Sequence, residues 1–530
     1  MGRMLRYLIA GWLLMTGAMS AVERFDFVEL AVNAAATAGN PFTERRITGR
    51  FWREGAGAPV EVEGFCDALD GSVYRVRFMP REAGKYRYEV TLDGAAPQRG
   101  TFTVTVGKRK GPVRVDAKYP WHFVYEGTGE HYFWNSTTTY ALMGWKDDAQ
   151  IVRILDRLQK HGINRIRAAI VPPRVESGKQ WFEPAVVETP EFTFRTNAWV
   201  AARPDSLNDP GFDVTRYNVP YWQRFDRMLK AARERGIVVS VIFYVDGRLP
   251  GVDPFRKERM GGEDEQRYYR YAIARFAAFE NVMWDVTNEY RLFRDDAWAE
   301  KMGAFLKQRD PNGLPISIHG HGTFNFRKSP WADYAMYQSW DESGGYEYML
   351  KNRRMQQEAG RPIPQVNEEY GYEDHYPQGW GGNRKAPSRS DDNRRRLAWD
   401  MTMAGAYQTT GERADFGGGW INGWGDDRMK LLEGHRRMKE YFESLEWWKM
   451  EPRPEAISGG GRLLAEPGRQ YVVYLPNGGA AEVTLEAGRY RAEVYNPRTG
   501  ERRALGAVSG GAWKTPELTA GEDWAITLRR

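Results

Sequence analysis

The stretch Asn281-Val-Met-Trp-Asp-Val-Thr-Asn-Glu-Tyr290 decides the fold: a run of apolar and β-branched residues ends abruptly in the polar pair Asn288-Glu289. Such a run reads as a buried strand, and a carboxylate at its end sits where a parallel barrel gathers its reactive groups. A second stretch, Pro364-Gln-Val-Asn-Glu-Glu-Tyr-Gly-Tyr-Glu373, repeats the pattern with Asn367, Glu368 and Glu369. The separation of Glu289 from Glu369 leaves room for about three strand-helix units of roughly 30 residues each. Two strand-end carboxylates therefore face one cleft.

Outward from these two stretches, apolar strands alternate with helical segments. The candidate strands are His131–Asn135, Asn164–Ile170, Val238–Tyr244, Val282–Thr287, Pro315–His319, Tyr334–Gln338, Gln365–Asn367 and Ala414–Gly417. Between them, Tyr221–Arg235 keeps Trp222, Phe225, Met228, Leu229 and Ala232 at helical spacing, and Gly236 stops it; Glu265–Phe279 reads as another helix. The pattern predicts an α/β fold, a (β/α)8 TIM barrel over residues 117–448. No Gly-x-Gly-x-x-Gly turn follows the first strand, which argues against a doubly wound sheet.

Both flanks change rhythm. Residues 22–107 are short alternating runs such as Tyr74-Arg-Val-Arg-Phe78 and Tyr86-Arg-Tyr-Glu-Val90, the pattern of an N-terminal β-sandwich, closed by the connector Gly107-Lys-Arg-Lys-Gly-Pro112. Residues 452–530 return to alternating strands and predict a small C-terminal β domain.

Composition narrows the function. Against 70 acidic residues stand 76 basic ones, a net charge of +6 with no single-sign run, so nucleic acid is not implied as a partner. Arg3 and Arg6, an apolar segment Tyr7–Met15 and the small residues Ala18, Ser20 and Ala21 read as a signal peptide over residues 1–21, hence a secreted or periplasmic protein with no membrane span once mature. Cys66 is the one cysteine, so no intrachain disulfide forms, and the seven histidines lack zinc-hydrolase spacing. No metal or cofactor is expected. The sequence carries no signal for or against self-association.

Cleaving a glycosidic bond with retention needs one carboxyl group to protonate the leaving oxygen and another, about 5 to 5.5 Å away, to attack the sugar carbon. Glu289 is the candidate acid/base, with Trp284 and Tyr290 expected to desolvate it and raise its pKa. Glu368 and Glu369 compete for the second role, since strand neighbours point to opposite sides and one alone should face the axis. Glu373 reads as structural or as a substrate contact. Arg167, at a predicted strand end, is expected to keep the nucleophile ionised by lowering its pKa. Asn288 and His319 are candidate substrate contacts; Asn135, Tyr244, Asp246 and His321 also fall at predicted strand ends. Of twenty tryptophans, Trp340, Trp420 and Trp424 are candidate sugar platforms, the last two on a loop whose glycines, Gly417-Gly-Gly-Trp-Ile-Asn-Gly-Trp-Gly-Asp426, are expected to leave a ring exposed.

With these residues in place the chain resembles the clan A glycoside hydrolases, and within them the apiosidase-like barrels with an N-terminal β-sandwich. The resemblance rests on Asn40-Pro-Phe42, Gly64-Phe65 and Tyr74-Arg-Val-Arg-Phe-Met-Pro80 in the first domain. In the barrel it rests on Tyr132-Phe-Trp-Asn-Ser-Thr137, although Gly-Asp-Thr is more usual than Asn135-Ser136-Thr137, and on Trp284-Asp-Val-Thr-Asn-Glu289 and Asn367-Glu-Glu-Tyr-Gly-Tyr372. The tail around Tyr495-Asn-Pro-Arg-Thr-Gly500 is similar to a small C-terminal β domain. The resemblance implies Glu289 as acid/base and Glu369 rather than Glu368 as nucleophile. It implies a secreted retaining hydrolase acting on a plant or algal polysaccharide or its oligosaccharides; the alternative is a non-catalytic carbohydrate-binding protein on a barrel scaffold. The glutamate pair disfavours a polysaccharide lyase. The insertion Pro172–Pro220 is expected either to wall off one end of the cleft or to bridge to the sandwich.

Overall fold

A computed structural model describes residues 21–174, 188–245, 251–340, 345–374, 389–413, 419–426 and 428–530. Nearly all of the expected leader, Asp246 and the expected eighth strand Ala414–Gly417 lie outside the described residues.

Eight parallel strands form the central barrel: β1 (Ser136–Thr138), β2 (Arg165–Val171), β3 (Val238–Tyr244), β4 (Val282–Asp285), β5 (Ile316–Ser317), β6 (Ala335–Gln338), β7 (Gln365–Glu369) and β8 (Tyr407–Thr410). They pair in the order β5-β4-β3-β2-β1-β8-β7-β6. Between β5 and β6 the barrel is drawn together by the Asp333 amide, which donates to the Ile316 carbonyl at 2.8 Å, and by the Ser317 hydroxyl, which donates to the Tyr334 carbonyl at 2.6 Å. The predicted TIM barrel is therefore present, with two of its strands displaced from their expected positions.

The first displacement has a packing cause. His131–Tyr132 pairs antiparallel with Phe123–Tyr125, which in turn pairs with Val113–Val115. This three-stranded sheet is apolar because Phe123 packs against Trp134, Tyr334 and Tyr407 at the barrel's lower end. The barrel strand starts after it, at Ser136. The second displacement reflects polarity: Tyr407-Gln-Thr-Thr410 has too few apolar residues for a hydrophobicity scan, yet all four are buried. The helices fall close to expectation at Val219–Glu234 and Glu263–Phe276.

Two β layers precede the barrel, antiparallel except where Val22–Glu23 runs parallel to Gln98–Thr105. One holds Val22–Glu23, Gln98–Thr105, Gly84–Leu92, Ile47–Arg53 and Val60–Glu63; the other holds Val28–Asn33, Val73–Phe78 and Phe65–Cys66. Their core includes Phe51 and Phe78, stacked with centroids 4.2 Å apart. This sandwich is fixed to the barrel by a buried network. The Arg77 guanidinium grips both oxygens of Asp226 at 2.8 Å, and Arg275 reaches Asp226 at 2.7 Å and Asp67 at 2.9 Å. Within the 172–220 insertion, the hairpin Trp199–Ala201/Phe212–Tyr217 also meets the sandwich, through Asn40 to the Thr215 hydroxyl at 2.8 Å and Arg216 to the Gly39 carbonyl at 3.1 Å. The described part of the insertion thus bridges to the sandwich. On the opposite flank, an antiparallel sheet from Glu451 to Arg529 packs on the helix Asp391–Met403, where Trp399 stacks on Tyr474 with centroids 5.2 Å apart. Among the described residues no helix is long and apolar enough to cross a membrane.

Candidate active site

Alternation along β2 sends Arg165 and Arg167, two residues apart, into the barrel, where both are fully buried. Arg165 lies deeper, stacked 3.8 Å from the Trp134 ring centre, and pairs with Glu368 at 2.7 Å. Arg167 lies one step higher and spreads its five donors widely. Its Nη2 donates to Asn288 Oδ1 at 2.7 Å and to Asp285 Oδ2 at 3.0 Å, its Nη1 to the Tyr140 hydroxyl at 2.6 Å and to Glu369 Oε1 at 3.5 Å, and its Nε lies 3.4 Å from Glu368.

Glu368 and Glu369 both reach this guanidinium, contrary to the expectation from strict alternation. The reason is a register shift between β6 and β7: Tyr337 pairs with Asn367 but Gln338 with Glu369, so the bulge skips Glu368. Glu368 remains the deeper of the two, held by both arginines and by the Thr409 hydroxyl. Glu369 takes the upper position. Its Oε1 accepts from the Tyr140 hydroxyl, its Oε2 accepts from Gln338 Nε2 at 3.0 Å, and His319 Nδ1 is 3.9 Å away.

Glu289 follows β4 and is half-buried. Its backbone occupies the left-handed region at φ 47° and ψ 47°, a conformation that costs a β-carbon-bearing residue about 1 kcal/mol or more. Flanking hydrogen bonds impose it: the Asn288 amide donates to the Tyr244 carbonyl at 3.0 Å and the Tyr290 amide to the His319 carbonyl at 3.2 Å. The chain is thus pinned to the ends of β3 and β5 on either side of the carboxylate.

The electrostatics bring the two glutamates together. Burial first, and then the Glu289 charge, push the Glu369 carboxyl up to about 8; Arg167 and Tyr140 pull the other way without prevailing. This corrects the expectation that Arg167 holds Glu369 low. Its charge is divided among Asp285, Glu368 and Glu369, and the site is cut off from water. Asp285, fully buried, is pushed up to about 7 by the same desolvation. His319 is driven well below its usual range by burial and by Arg167, so its ring is neutral; its Nδ1 faces Asn288 Oδ1.

The desolvating neighbours expected for Glu289 are elsewhere. Trp284 packs on Phe243 and donates to Asp310, which precedes β5 at the far end of the barrel, and the Tyr290 hydroxyl donates to Asp296 at 2.6 Å. Asn135 lies before β1 and binds the Gly162 carbonyl at 2.9 Å; Tyr244 binds Glu265 at 3.1 Å; His321 is exposed. Glu373 accepts from the amides of Lys430 and Leu431 at the start of the helix Leu431–Glu443, a structural role.

Of the aromatic candidates, Trp420 is 9% exposed and stacked on Tyr372 at 5.2 Å, against the expectation of an open ring. Gly419 shows why: even a β-carbon there meets the Trp424 carbonyl at 2.4 Å, so the glycines permit close packing. Trp340, meeting Tyr372 at 5.2 Å, and Trp424, meeting Trp145 at 5.7 Å, are half-buried and keep part of their surface open.

The sequence reading missed Tyr140, Gln338 and Asp285. Tyr140 was hidden by placing the first strand several residues early. Gln338, a polar residue ending a predicted strand, carried a signal of the same kind as Asn288. Asp285 sits inside what reads as one continuous apolar strand, and its role shows only once β2, β3 and β4 are paired and bring it to Arg167. Among the described residues no group of three or more His, Cys, Asp or Glu side chains is arranged to hold a metal ion.

Comparison with known proteins sets this site in context. The profile of the family "Apiosidase-like, catalytic domain" matches residues 121–414, and that of a domain of unknown function, DUF5060, matches residues 21–93. A Bacteroides vulgatus structure solved as a candidate glycoside hydrolase aligns with a TM-score of 0.77 and 21% identity over 96% of this chain and 100% of that one. A glycoside hydrolase family 5 structure from the same species aligns at 0.62 with 15% identity, covering 79% of this chain and 93% of its own. At these identities the likeness is one of fold. Mannan endo-1,4-beta-mannosidase F of Aspergillus fumigatus is 23% identical over 296 residues, 46% of this chain; the match spans 62% of that relative's length, less than two thirds of it.

Proposed function

Since the chain belongs to the apiosidase-like family of catalytic domains, matched over residues 121–414, we propose that it is a retaining glycoside hydrolase acting on a plant or algal polysaccharide or its oligosaccharides. The observation that carries this reading is the convergence of half-buried Glu289 and buried Glu369 from the ends of β4 and β7, close enough for the Glu289 charge to push the Glu369 carboxyl up. A pair coupled in this way holds one proton near neutral pH, and its titration belongs to the pair. Burial and the Glu289 charge favour the proton on Glu369 at rest, so reaction requires that proton to pass to Glu289, and Tyr140, Gln338 and Arg167, which all donate to Glu369, stabilise the ionised form so made.

In the first step the Glu369 carboxylate attacks the anomeric carbon while Glu289 gives its proton to the departing glycosidic oxygen, leaving a glycosyl ester on Glu369. In the second, Glu289 takes a proton from water, the oxygen attacks the same carbon, and Glu369 leaves as a carboxylate. Two inversions give net retention. Asn288 Oδ1 accepts from Arg167 Nη2 and faces His319 Nδ1, which fixes the orientation of its amide, and its amide nitrogen is the group offered to a substrate hydroxyl. Trp340 and Trp424 offer ring surface to sugar C–H faces. The signal-like N-terminus supports export, and the mannosidase relative puts β-mannan first among the substrates to try.

The test is release of new reducing ends from a panel of plant and algal polysaccharides by wild type, Glu289→Gln and Glu369→Ala, with the product anomer followed by NMR at early times. Release by wild type with the substrate's anomeric configuration, lost in Glu369→Ala, supports the reading. Inverted product, or undiminished release by Glu369→Ala, refutes it, and binding without release selects the carbohydrate-binding alternative.

A further inference from the structure

One face of the C-terminal sheet packs against the barrel helix Leu431–Glu443. There the Thr527 and Tyr441 hydroxyls meet at 2.5 Å, the Tyr495 hydroxyl donates to the Arg437 carbonyl at 3.2 Å, and Gln470 Nε2 donates to the Glu446 carbonyl at 3.1 Å. Past the end of that helix the same face is open. Alternation along the strand Glu482–Tyr495 puts Arg489 and Arg491 on it, and Arg491 stands directly across from Arg529 of the strand Trp524–Arg529. All three arginines are exposed.

Like charges directly opposite on neighbouring strands, with backbones about 5 Å apart, destabilise a sheet by up to about 1 kcal/mol when no counter-charge intervenes. None does here. Among the described residues Arg489, Arg491 and Arg529 make no ion pair. The carboxylates of these strands are engaged elsewhere: Glu493 pairs with Arg502 at 2.7 Å, Glu466 accepts from Gln470 Nε2 at 3.0 Å, and Glu482 stands opposite Lys514 across the hairpin. Glu486 alone among them is unbridged, in the irregular segment before Arg489. It is outnumbered by Arg469 and Arg530, which are exposed, make no ion pair among the described residues and are joined by the Arg530 amide to the Arg469 carbonyl at 3.0 Å. The barrel side supplies no free acid, since Glu443 pairs with Lys439 and Glu446 with Lys449. Cationic charge is therefore left over on this face.

The charges form a row. Arg489 and Arg491 are about 7 Å apart along their strand and Arg529 is about 5 Å to the side, so one small anion does not engage all three, whereas a polymer with repeated anionic groups does. The face has no large exposed apolar side chain to enter a bilayer and no open ring for a nucleic-acid base, because Tyr441 and Tyr495 at its rim are buried, with the Arg502 guanidinium over them at 5.4 and 5.1 Å. We propose that this row binds an anionic polysaccharide through its carboxylate or sulfate groups, as an anchor rather than as a substrate subsite. Its place in the fold supports that role. The helix Leu431–Glu443 starts against Glu373, just past β7 at the cleft end of the barrel, and runs 13 residues, about 20 Å, to the end where the row lies. A chain anchored there turns its cleft away from the anchoring polymer.

The test is titration of the full chain carrying Glu369→Gln, so that turnover does not intrude, with a sulfated galactan, the same galactan desulfated, polygalacturonate, double-stranded DNA and phosphatidylglycerol vesicles, at low and high salt. Binding of at least one acidic polysaccharide, weakened by salt, is expected, and which of the two binds assigns sulfate or carboxylate. Arg491→Ser combined with Arg529→Ser is expected to weaken that binding at least about tenfold. Arg87→Ser combined with Arg354→Ser, which removes the same charge from exposed positions elsewhere, is expected to leave it unchanged. Arg529→Glu gives Arg491 a cross-strand partner and is expected to raise the melting temperature while weakening binding. No binding of either acidic polysaccharide, equal losses in the two double variants, an equal hold on the desulfated galactan, or tighter binding of DNA or vesicles would each overturn the proposal. Failure of the hydrolase reading leaves these outcomes unchanged, because none of them reads turnover.

Discussion

Glu369→Gln is expected to leave stability almost unchanged at pH 4.5 and to raise it at pH 9. In the folded chain, burial and the Glu289 charge carry the Glu369 carboxyl from 4.5 up to about 8. Well below 4.5 the group is protonated in the folded and unfolded chain alike, and glutamine mimics it. Between 4.5 and about 8 the unfolded chain releases the proton while the folded chain keeps it, so the stability present at low pH is lost as pH rises, at about 1.4 kcal/mol per pH unit. The whole interval amounts to a ceiling of about 5 kcal/mol. Because part of the rise comes from the charge on half-buried Glu289, which solvent screens, the expected gain at pH 9 is about 2–4 kcal/mol, against about 0.5 kcal/mol at pH 4.5. The assay is thermal unfolding of wild type and variant at pH 4.5, 6, 7.5 and 9, read as the difference in Tm because a chain of several packed units need not unfold in one step. At about 2 °C per kcal/mol, the difference should grow to roughly 4–8 °C at pH 9. A difference that does not change with pH, or a variant less stable than wild type at pH 9, would refute the placement of a desolvated, repelled carboxylate at this position.

Tyr140→Phe removes a donor that lowers the Glu369 pKa, so the acidic limb of kcat/KM should move to higher pH and its plateau should fall about 10- to 100-fold; an unmoved limb would leave Tyr140 a packing residue. Glu289→Gly relieves the left-handed strain and should stabilise the fold by about 1 kcal/mol while cutting hydrolysis of unactivated glycosides by about 10²–10⁴-fold; melting temperature and reducing-end assays check the two halves separately. Arg77→Ala leaves Asp226 buried without one of its two guanidiniums and should cost about 3–5 kcal/mol with KM unchanged in the surviving folded protein; a Tm within about 1–2 °C of wild type would show that the sandwich is held by its apolar contacts instead.

The barrel was legible because its middle strands are apolar runs ending in polar residues, as in Val282–Asp285 followed by Asn288-Glu289. Where a strand broke that rule, sequence reasoning went astray. Ser136–Thr138 and Tyr407–Thr410 are polar because they line a charged interior, with the Thr409 hydroxyl on Glu368 and the Ser136 hydroxyl on Arg165. Their partners come from strands far away in the chain, and no local pattern announces them. The same holds for the bulge on β7: alternation gave a choice between Glu368 and Glu369, whereas register with β6 lets both reach Arg167. Aromatic content pointed to sugar platforms, but exposure is a tertiary property. Trp420 is closed in by Tyr372 and by glycine-permitted packing.

The site concentrates two features that work against folding: a strained backbone at Glu289 and an under-neutralised carboxyl at Glu369. Neither improves packing, and both have simple remedies that the chain does not use. Glycine at position 289 would remove the strain, and an undivided Arg167 would settle Glu369. Instead Arg167 has its short contacts with Asn288, Tyr140 and Asp285, at 2.6–3.0 Å, and its long one with Glu369, at 3.5 Å. The arrangement makes chemical sense. A carboxylate fully neutralised by a close guanidinium is a poor nucleophile, whereas one held mainly by the Tyr140 hydroxyl and the Gln338 amide stays basic enough to attack carbon and can still leave in the second step. Arg167 then acts at one remove, orienting Tyr140 and Asn288, while Arg165 and Thr409 hold Glu368 below as the counter-charge that keeps two buried guanidiniums tolerable.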